Sequence, residues 1–557
     1  MIQKVQKTVG AELRKNRGAS FCKICSVFLT HHKKIQPLLK LRLLEELNNM
    51  NFIIPKMTVN LLKAIITAVE QSGYEVHATV CDMGGSNYSL INQLKINEDN
   101  NSFDNPVDPT RNIHVFADVP HLLKLIRNHF LDHGFHSADS NETILCDFVR
   151  ELIAVDKGNM KLAHKLTHQH VSVRGYKRQK VSFAVQLLSN TVSQALCFLG
   201  ERGEIKSAGW LLTAQFIMLV NDWFDIMNSS LSIDPSGKRN AFRKTESQME
   251  VLSHMISRIR SLRVNKRFLP FQKGILLSCK SLVSLYDDLH IRFGLKYILT
   301  RRLNQDVVES FFSMMRQMGR CYDHPTPLSF QHRLKMYIMG KDAKVLSVNV
   351  NSLDVESNTL GKENEKITME KPLIAGSDLI VDGNAPCLVS KLFSDLGQIN
   401  DPDEPEEEDG FNLNERSVVH LPEEEATDYF LGYVVHKFQH KYPQLGYVLQ
   451  ETCNNMSWVS FVSRGKLKCM NPDYRAVLLH INKVFSDYHG EALKDGEGSS
   501  EIILKASNLP PFFPIEVARF FIRCRVYFMI KLLNNRLKES KLIHCRQAEK
   551  KMKKTVS

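Results

Sequence analysis

The sequence lacks the patterns that are typical of secreted, membrane-anchored and disulfide-stabilised proteins. No secretory signal and no long uncharged apolar run is visible, and the 12 cysteines follow no disulfide-framework spacing. No GxxxxGK[ST] phosphate loop occurs either, which excludes an ordinary P-loop GTPase. These absences predict a protein of a reducing interior compartment with no membrane partner.

A complete zinc site is also missing from the basic N-terminal stretch. Cys22 and Cys25 form one CxxC pair, but His31 and His32 follow too closely to close a tetrahedron around a zinc ion. No later Cys and His pair stands at a suitable spacing. The sequence therefore predicts that no N-terminal zinc domain is present.

Charge is unevenly distributed along the 557 residues, although the net value is +13. Residues 1–56 and the tail from Arg519 are basic, whereas residues 400–428 are strongly acidic. Such asymmetry suits a polyanionic partner, because neutralising phosphates releases counterions, but it is equally common in solvated tails. Length predicts about two to four domains.

The stretch YEVHATVCDMGGSN, residues 74–87, predicts a strand that delivers a carboxylate into a turn. Its β-branched residues alternate in the manner of a pleated, half-buried strand, which ends at Asp82. Gly84 and Gly85 then allow a tight turn in which backbone approaches a ligand closely. Two interpretations are open for Asp82: a metal or substrate ligand, or a surface residue that caps the next helix.

A later segment, RLNQDVVESFFSMMRQ, predicts a helix that carries Glu309 beside an apolar stripe. Together with CDMGGSN, FADVPHLLKLIRNHF, VSVRGYKRQKVSFAVQLLSN, LVNDWFDIMNS and RFLPFQKGI, in this order, it resembles the P-element type of DNA transposase. The resemblance runs from about Pro55 to Ile338 and resumes weakly in the C-terminal part.

This resemblance implies an α/β RNase H-like core, here incomplete, that is interrupted by a mainly α-helical GTP-binding insertion domain. A small helical C-terminal domain follows. The implied boundaries are a basic segment unlike the family at 1–54, core at 55–135, insertion at 136–299, core with the Glu helix at 300–340, an acidic disordered linker at 341–420, and the C-terminal domain with its basic tail at 421–557.

Three carboxylates hold two Mg²⁺ ions in this family: an Asp on the first core strand, an Asp in the DMG-like turn and a Glu on a late helix. The resemblance assigns the second and third roles to Asp82 and Glu309. No Asp precedes Asp82, so the first role has no candidate. Asp118 is interpreted as a helix N-cap, with Pro120 in the first turn. The chain is therefore predicted not to cut or join DNA.

The resemblance also implies a GTP site, because matching motifs supply its residues one by one. Lys165 and Lys180 would contact the triphosphate, and the remaining residues implied near the nucleotide are Val181, Ser189, Asn221, Phe224 and Asp225. The run VDKGNMK departs from the family's NKxD-like pattern, since Asp156 is displaced and Asn159 stands near the expected place. Without the resemblance, NDWFD would indicate a buried Trp helix with solvated acids.

Three hypotheses follow. The first is a nuclear, domesticated protein that binds GTP without turnover and binds DNA without strand transfer. The second is an active transposase whose N-terminal part is absent from this chain. The third is a non-enzymatic interaction protein with neither ligand. The oligomeric state is open, with a homo-oligomer among the alternatives.

Overall fold

The computed structural model describes residues 26–29, 57–158, 160–233, 239–319, 325–338, 422–448, 457–462, 467–490, 493–494 and 499–555. The chain forms two compact units. The first comprises 1–126, 137–139 and 222–385, and the second comprises 127–136, 140–221 and 386–557. The predicted basic segment, the CxxC pair, Asn159 and the acidic linker lie almost wholly outside the described residues.

The first unit is a mixed sheet with helices. Its elements are β1 Ser26–Leu29, α1 Val59–Gln71, β2 Val76–Cys81, α2 Gly85–Gln93, β3 Ser102–Asp104, β4 Asn112–Ala117, the start of α3 Val119–Asp132, the end of α8 Trp210–Met227, α9 Glu246–Ser261, β7 Leu262–Arg263, α10 Pro270–Phe293, α11 Asp306–Gln317 and α12 Pro327–Ile338.

The four-stranded sheet has the order β1-β2-β4-β3. Strand β2 pairs antiparallel with β1 and parallel with β4, and β3 pairs antiparallel with β4. The predicted strand at 76–81 is confirmed, but all six of its residues are buried. The expectation of a half-buried strand was wrong, because helices cover both faces.

Helix α1 covers the sheet because its apolar residues recur on one face. Thr58 caps the helix by accepting a hydrogen bond from the Leu61 N–H, and Leu62 and Ile66 are buried. Both pack in one cluster with Val76 of β2 and Ile113 of β4. The predicted helix before the Asp82 strand is therefore confirmed.

Helix α10 also belongs to the sheet, although the predicted domain boundaries placed it in the insertion. The Ser278 hydroxyl accepts a hydrogen bond from the Ala117 N–H at 2.9 Å, and the Ser281 hydroxyl donates to the Val115 carbonyl at 2.6 Å. These small side chains let the helix backbone approach β4 closely. Residues 222–299 accordingly group with the first unit.

The second unit is almost entirely helical. Its elements are β5 Phe135–Ser137, β6 Thr143–Ile144, α4 Asp147–Val155, α5 His168–Val171, a 3₁₀ turn Gly175–Gln179, α6 Val181–Leu187, α7 Asn190–Glu201, most of α8, α13 Pro422–Phe438, β8 Gly446–Val448, α14 Trp458–Val462, β9 Lys468–Met470, α15 Pro472–His489, α16 Ser499–Ala506 and α17 Ile515–Thr555.

The C-terminal helices share a core with the insertion helices. The Phe198 ring of α7 meets Trp458 of α14 at a centroid distance of 5.3 Å, and Arg202 donates to Glu425 of α13 at 2.9 Å. These insertion and C-terminal segments, which the sequence assigned to separate domains, group in one compact unit.

One stretch in the described part of the chain, Val181–Glu201, is long and apolar enough by composition to cross a membrane. No membrane span was predicted there from the sequence. The stretch is two helices, because Ser189 ends the first segment and caps α7 by accepting from the Val192 N–H. Its apolar side chains, among them Leu187, Leu196 and Leu199, are core residues of the second unit.

A close backbone approach explains Gly432 in the middle of α13. A Cβ at this position would lie 2.3 Å from the Lys468 carbonyl oxygen on β9. We expect Gly432→Ala to destabilise the β8–β9 pair by about 1–3 kcal/mol, because the helix must move away from the strand. Hydrogen exchange of the β8 and β9 amides should accelerate.

The matched control is Gly85→Ala, since a Cβ on Gly85 would meet nothing within 4 Å. That change should leave exchange in the β8–β9 pair unaltered. Unchanged exchange in Gly432→Ala would show that the contact is not tight in solution.

Candidate functional site

The Asp82 carboxylate is fixed by the turn that follows β2. Its Oδ1 accepts hydrogen bonds from the Gly84 N–H at 2.9 Å and from the Asn87 Nδ2 at 2.7 Å. A Cβ on Gly84 would stand only 2.9 Å from the same oxygen. The glycine therefore lets the turn close on the Asp82 carboxylate, whereas the sequence predicted a close backbone approach to a ligand.

A second aspartate stands beside Asp82 on the neighbouring strand. Cys81 of β2 is in register with Ala117 of the parallel strand β4, and the Asp118 N–H donates to the Cys81 carbonyl at 2.9 Å. Asp82 and Asp118 are thus the next residues after a paired position. Because adjacent strands lie about 4.8 Å apart, both carboxylates emerge at the same edge of the sheet.

Asp118 is a buried carboxylate with two backbone partners. Its Oδ2 accepts from the His121 N–H at 3.1 Å, which confirms the predicted N-cap of α3. Its Oδ1 accepts from the Gln305 N–H at 2.8 Å, immediately before α11. The N-cap interpretation was therefore incomplete, since the same side chain also joins β4 to the start of the helix that carries Glu309.

Negative charge accumulates around Asp118. Burial raises the pKa of Asp118 to about 6; the two backbone hydrogen bonds oppose this rise, while the nearby charges of Asp306 and Glu309 add to it. Burial likewise raises the pKa of Asp306, with Lys124 and Arg301 among the opposing charges. Glu309 thus lies close enough to Asp118 to act on its charge.

No Asp precedes Asp82, and from the sequence Asp118 was interpreted only as an N-cap. The sheet nevertheless places Asp118 next to Asp82, because β2 pairs with β4, which follows it in the chain. The repeated pattern of an apolar strand ending in Asp, in VHATVCD and again in IHVFAD, marks Asp118 as a second strand-end carboxylate but does not show that the two strands pair.

The chemistry of the three carboxylates fits a hard divalent cation. Mg²⁺ prefers carboxylate oxygens, and a cation would relieve the repulsion that Asp118 experiences from Glu309. Within the described ranges, no three ligand-type side chains already stand at metal-binding geometry. Glu309 is exposed on α11.

Two of the residues predicted to bind nucleotide, Ser189 and Asn221, lie at the N-terminal end of helix α7 in the second unit. The Ser189 hydroxyl accepts from the Val192 N–H at 3.3 Å, and the Asn221 Oδ1 accepts from the Asn190 N–H at 3.1 Å. Both side chains therefore satisfy the N-terminus of α7. Of the other predicted residues in this unit, Lys180 is exposed and precedes Val181 at the start of α6, and Lys165 is half-buried.

The remaining two residues predicted to bind nucleotide, Phe224 and Asp225, follow Asn221 on helix α8. Phe224 is half-buried, and Asp225 is buried and pairs with Arg239 at 3.2 Å. Trp223 is fully buried, and its Nε1 donates to the Cys279 Sγ at 3.3 Å. The alternative of a buried Trp helix is confirmed for Trp223, but Asp225 is not a solvated acid.

Comparison with known proteins identifies two family segments in the chain. A family model described as TNP-like, GTP-binding insertion domain matches residues 120–240. A second, described as TNP-like, RNase H C-terminal domain, matches residues 302–333, which include Glu309. The chain thus carries an insertion of the GTP-binding family and an RNase H-type C-terminal segment.

Two curated proteins are similar over long stretches. Transposable element P transposase of Drosophila melanogaster is 32% identical over 504 residues, which cover 86% of this chain and 61% of that protein. DNA transposase THAP9 of Homo sapiens is 26% identical over 294 residues, which cover 49% of this chain and 32% of the human protein. The chain therefore spans less than two thirds of the length of either relative.

A solved structure is also similar. The Drosophila P element transposase strand transfer complex matches with a TM-score of 0.50 and 36% identity, over 52% of this chain and 66% of that one. The family motifs, the two family models and this structural likeness agree with one another. The chain therefore belongs to the P-element-type DNA transposases, the RNase H-like transposases with a GTP-binding insertion domain.

Proposed function

We propose that this protein cleaves and joins DNA phosphodiester bonds with divalent cations held by Asp82, Asp118 and Glu309. The observation that carries the proposal is the register of β2 and β4, which sets Asp82 and Asp118 side by side after paired residues. Glu309 is the third proposed carboxylate and lies on α11. Gln305, the residue before this helix, donates its N–H to Asp118.

Bound Mg²⁺ would activate the attacking water or 3′ hydroxyl and stabilise the leaving oxygen. The protein's own residues contribute by holding the carboxylates in fixed positions. Gly84 and Asn87 orient the Asp82 carboxylate, and the N–H groups of His121 and Gln305 orient that of Asp118. Fixed ligands reduce the reorganisation needed when DNA binds.

This proposal differs from the first hypothesis, a protein that binds DNA without strand transfer. That hypothesis assumed that the chain lacks one of the three catalytic carboxylates. The test is a strand-transfer and nicking assay with the full chain, labelled DNA and Mg²⁺ or Mn²⁺. Cation-dependent nicked or joined products are expected. DNA binding without any product with either cation would instead favour the first hypothesis, a protein that binds DNA without strand transfer.

DNA is the proposed macromolecular partner and the nucleus the proposed location. The similar solved structure is a strand transfer complex, and both similar proteins are named as transposases. The net charge of +13 agrees with a polyanionic partner. Binding should weaken steeply with salt, because counterion release drives it. A homo-oligomer remains part of the proposal.

We further propose that the insertion binds GTP without hydrolysing it, through Lys165, Lys180, Val181, Ser189, Asn221, Phe224 and Asp225. The match to a GTP-binding insertion family supports this assignment. Ser189 and Asn221 support it locally, since they meet at the N-terminus of α7. Lysine ammonium groups would balance the phosphate charge, and a carboxylate can accept two N–H donors from guanine.

A titration with labelled GTP tests the nucleotide site. We expect saturable binding that Lys180→Ala weakens about tenfold or more, because a charge-assisted hydrogen bond contributes about 1.5–3 kcal/mol. Lys206→Ala is the matched control, since Lys206 is another exposed lysine of the same unit. Absence of saturable binding would favour an interaction protein without a nucleotide.

A further inference from the structure

The chain reaches Lys180 through the 3₁₀ turn Gly175–Gln179. Gly175 opens this turn with a φ of +57°, a backbone conformation that favours glycine. The turn closes on Lys180, whose N–H donates a hydrogen bond to the Lys177 carbonyl at 3.1 Å. The direction in which the Lys180 side chain leaves the backbone therefore depends on what holds this turn in place.

Arg127 of α3 holds the turn by its backbone. This arginine is fully buried, and its Nη2 donates a hydrogen bond to the Arg178 carbonyl at 2.7 Å. Its Nε donates to the Asn128 side chain at 2.8 Å, so the guanidinium is itself oriented. Arg127 and the turn both belong to the second unit. The backbone is thus fixed shortly before Lys180.

The charge of Arg127 strengthens this attachment. Burial lowers the pKa of Arg127 to about 10, the charge of Arg178 lowers it further, and the charge of Asp132 opposes the shift. The guanidinium therefore stays protonated at neutral pH. Its Nη1 is buried and has no hydrogen-bond partner in the described part of the chain. Because hydrogen bonds from a charged donor are stronger than those between neutral groups, a carbonyl that accepts from this buried charge is held firmly.

The Arg178 side chain attaches the turn to the same helix a second time. Its guanidinium binds the Asp132 carboxylate through both terminal nitrogens, with Nη1 donating to Oδ1 at 2.9 Å. Asp132 is the last residue of α3. Both side chains of this pair are partly exposed, so the second attachment can be removed without leaving a buried charge unpaired.

The helix after Lys180 is held by contacts of its own. His170 of α5 forms a hydrogen bond with Gln186 of α6 at 2.8 Å, and its ring lies 4.7 Å from the Phe183 ring. These contacts do not involve Arg127 or the turn. Loosening the turn should therefore change the position of Lys180 more than the fold of α6.

We propose that Arg127 and Asp132 are positioning residues of the nucleotide site, which act by holding the turn that directs Lys180 at the phosphates. Neither side chain contacts the nucleotide. The affinity for the phosphates, and not that for the guanine base, then depends on α3. This inference rests on the proposed GTP site, and the ligand class is a nucleoside di- or triphosphate.

The test compares Asp132→Asn with Asp147→Asn in the full chain. Both changes remove the carboxylate from an Arg–Asp pair of the second unit, since Asp147 pairs with Arg150 of α4. We expect Asp132→Asn to weaken labelled GTP binding about fivefold and Asp147→Asn to leave it within about twofold. Arg127→Gln should weaken it about tenfold, and Arg127→Lys, which keeps a charged donor, should lose less.

Two further measurements separate positioning from a general loss of structure. Because the effect acts through Lys180, Asp132→Asn should add nothing to the loss once Lys180 is replaced by alanine. Both Asp132→Asn and Arg127→Gln should weaken GTP and GDP but leave the inhibition constant of guanosine unchanged. Equal losses for all three ligands, or full additivity with Lys180→Ala, would overturn the inference.

The outcomes also distinguish this inference from the proposed nucleotide site. If Lys180→Ala weakens GTP binding while Asp132→Asn and Arg127→Gln do not change it, the inference fails and the site stands. If the unaltered chain binds no GTP, both fail together.

Discussion

Asp118→Asn should abolish cation-dependent DNA cleavage and joining, with a loss on the order of 10³-fold or more. The reason is the position of Asp118 in register beside Asp82 at one sheet edge. An amide in place of the carboxylate removes a negative charge that two cations would share. The measurement is the initial rate of product formation on labelled DNA at saturating Mg²⁺ or Mn²⁺.

Asp104→Asn is the matched control for this experiment. Asp104 is exposed on β3 and pairs with Asn112, at the opposite end of β4 from Asp118. The same chemical change there should leave the rate within about twofold, since it is far from the carboxylate edge. A rate in Asp118→Asn that equals the rate of the unaltered chain would remove Asp118 from the proposed site.

A readout without DNA accompanies the rate. Divalent cations should raise the melting temperature of the unaltered chain, because a ligand that binds the folded state stabilises it. This rise should shrink in Asp118→Asn, in Asp82→Asn and in Glu309→Gln. A full rise in all three variants would indicate that the cation binds elsewhere.

Glu70→Gln should destabilise the first unit by about 3 kcal/mol, the largest stability effect that we expect from a conservative change. Glu70 pairs with Arg111 at 2.6 Å, and its other oxygen accepts from the Val76 N–H and the Asn105 amide. Both charged side chains are buried, so the substitution removes the charge that balances the guanidinium and one of the oxygens that accept from it, and Asp108 remains as a charged partner. Chemical denaturation of the unaltered chain and the variant measures the difference.

The loss should depend on pH with a definite sign. Burial alone would raise the pKa of Glu70, but hydrogen bonds from Arg111, Val76 and Asn105 outweigh it and leave this pKa below its usual value. The contribution is therefore complete above about pH 4.3, the ordinary value for Glu, and is lost as pH falls through the lowered pKa. The difference between the two proteins should be full at pH 7 and small under strongly acid conditions.

Glu98→Gln provides the control for this second experiment. Glu98 pairs with Arg260 at 2.8 Å, but the side chains of Arg260 and Glu98 are 49% and 30% exposed. Exposed pairs of this kind contribute about 0–1 kcal/mol, so the free energy of unfolding should hardly change. A loss in Glu70→Gln no larger than that in Glu98→Gln would show that the Glu70–Arg111 pair is not buried in solution.

Local sequence patterns were sufficient to predict the helices and strands around the proposed metal site. They were not sufficient to predict which carboxylates form that site. The strand before Asp82, the helix of Glu309 and the N-cap at Asp118 were each readable from periodicity and capping preferences. The partnership of Asp82 with Asp118 was not, because it depends on which strands pair. Residues before Asp82 in the chain could not reveal a partner on a later strand.

The grouping of helices into the two compact units depends on long-range contacts in the same way. Helix α10 has the same apolar periodicity as an insertion helix, and only its contacts through Ser278 and Ser281 show that it covers β4. The C-terminal helices similarly join the insertion through Phe198 and Trp458, more than 250 residues apart in the chain. Periodicity identifies an apolar face but does not identify what that face packs against.

The sequence alone determined the family, the order of the elements and most of the residues proposed to bind metal and nucleotide, because motifs and local propensities act over a few neighbouring residues. Tertiary structure decided which carboxylates lie at the same end of the sheet. That relation joins Asp82 to Asp118. It arises from strand register between distant segments, which no local pattern records.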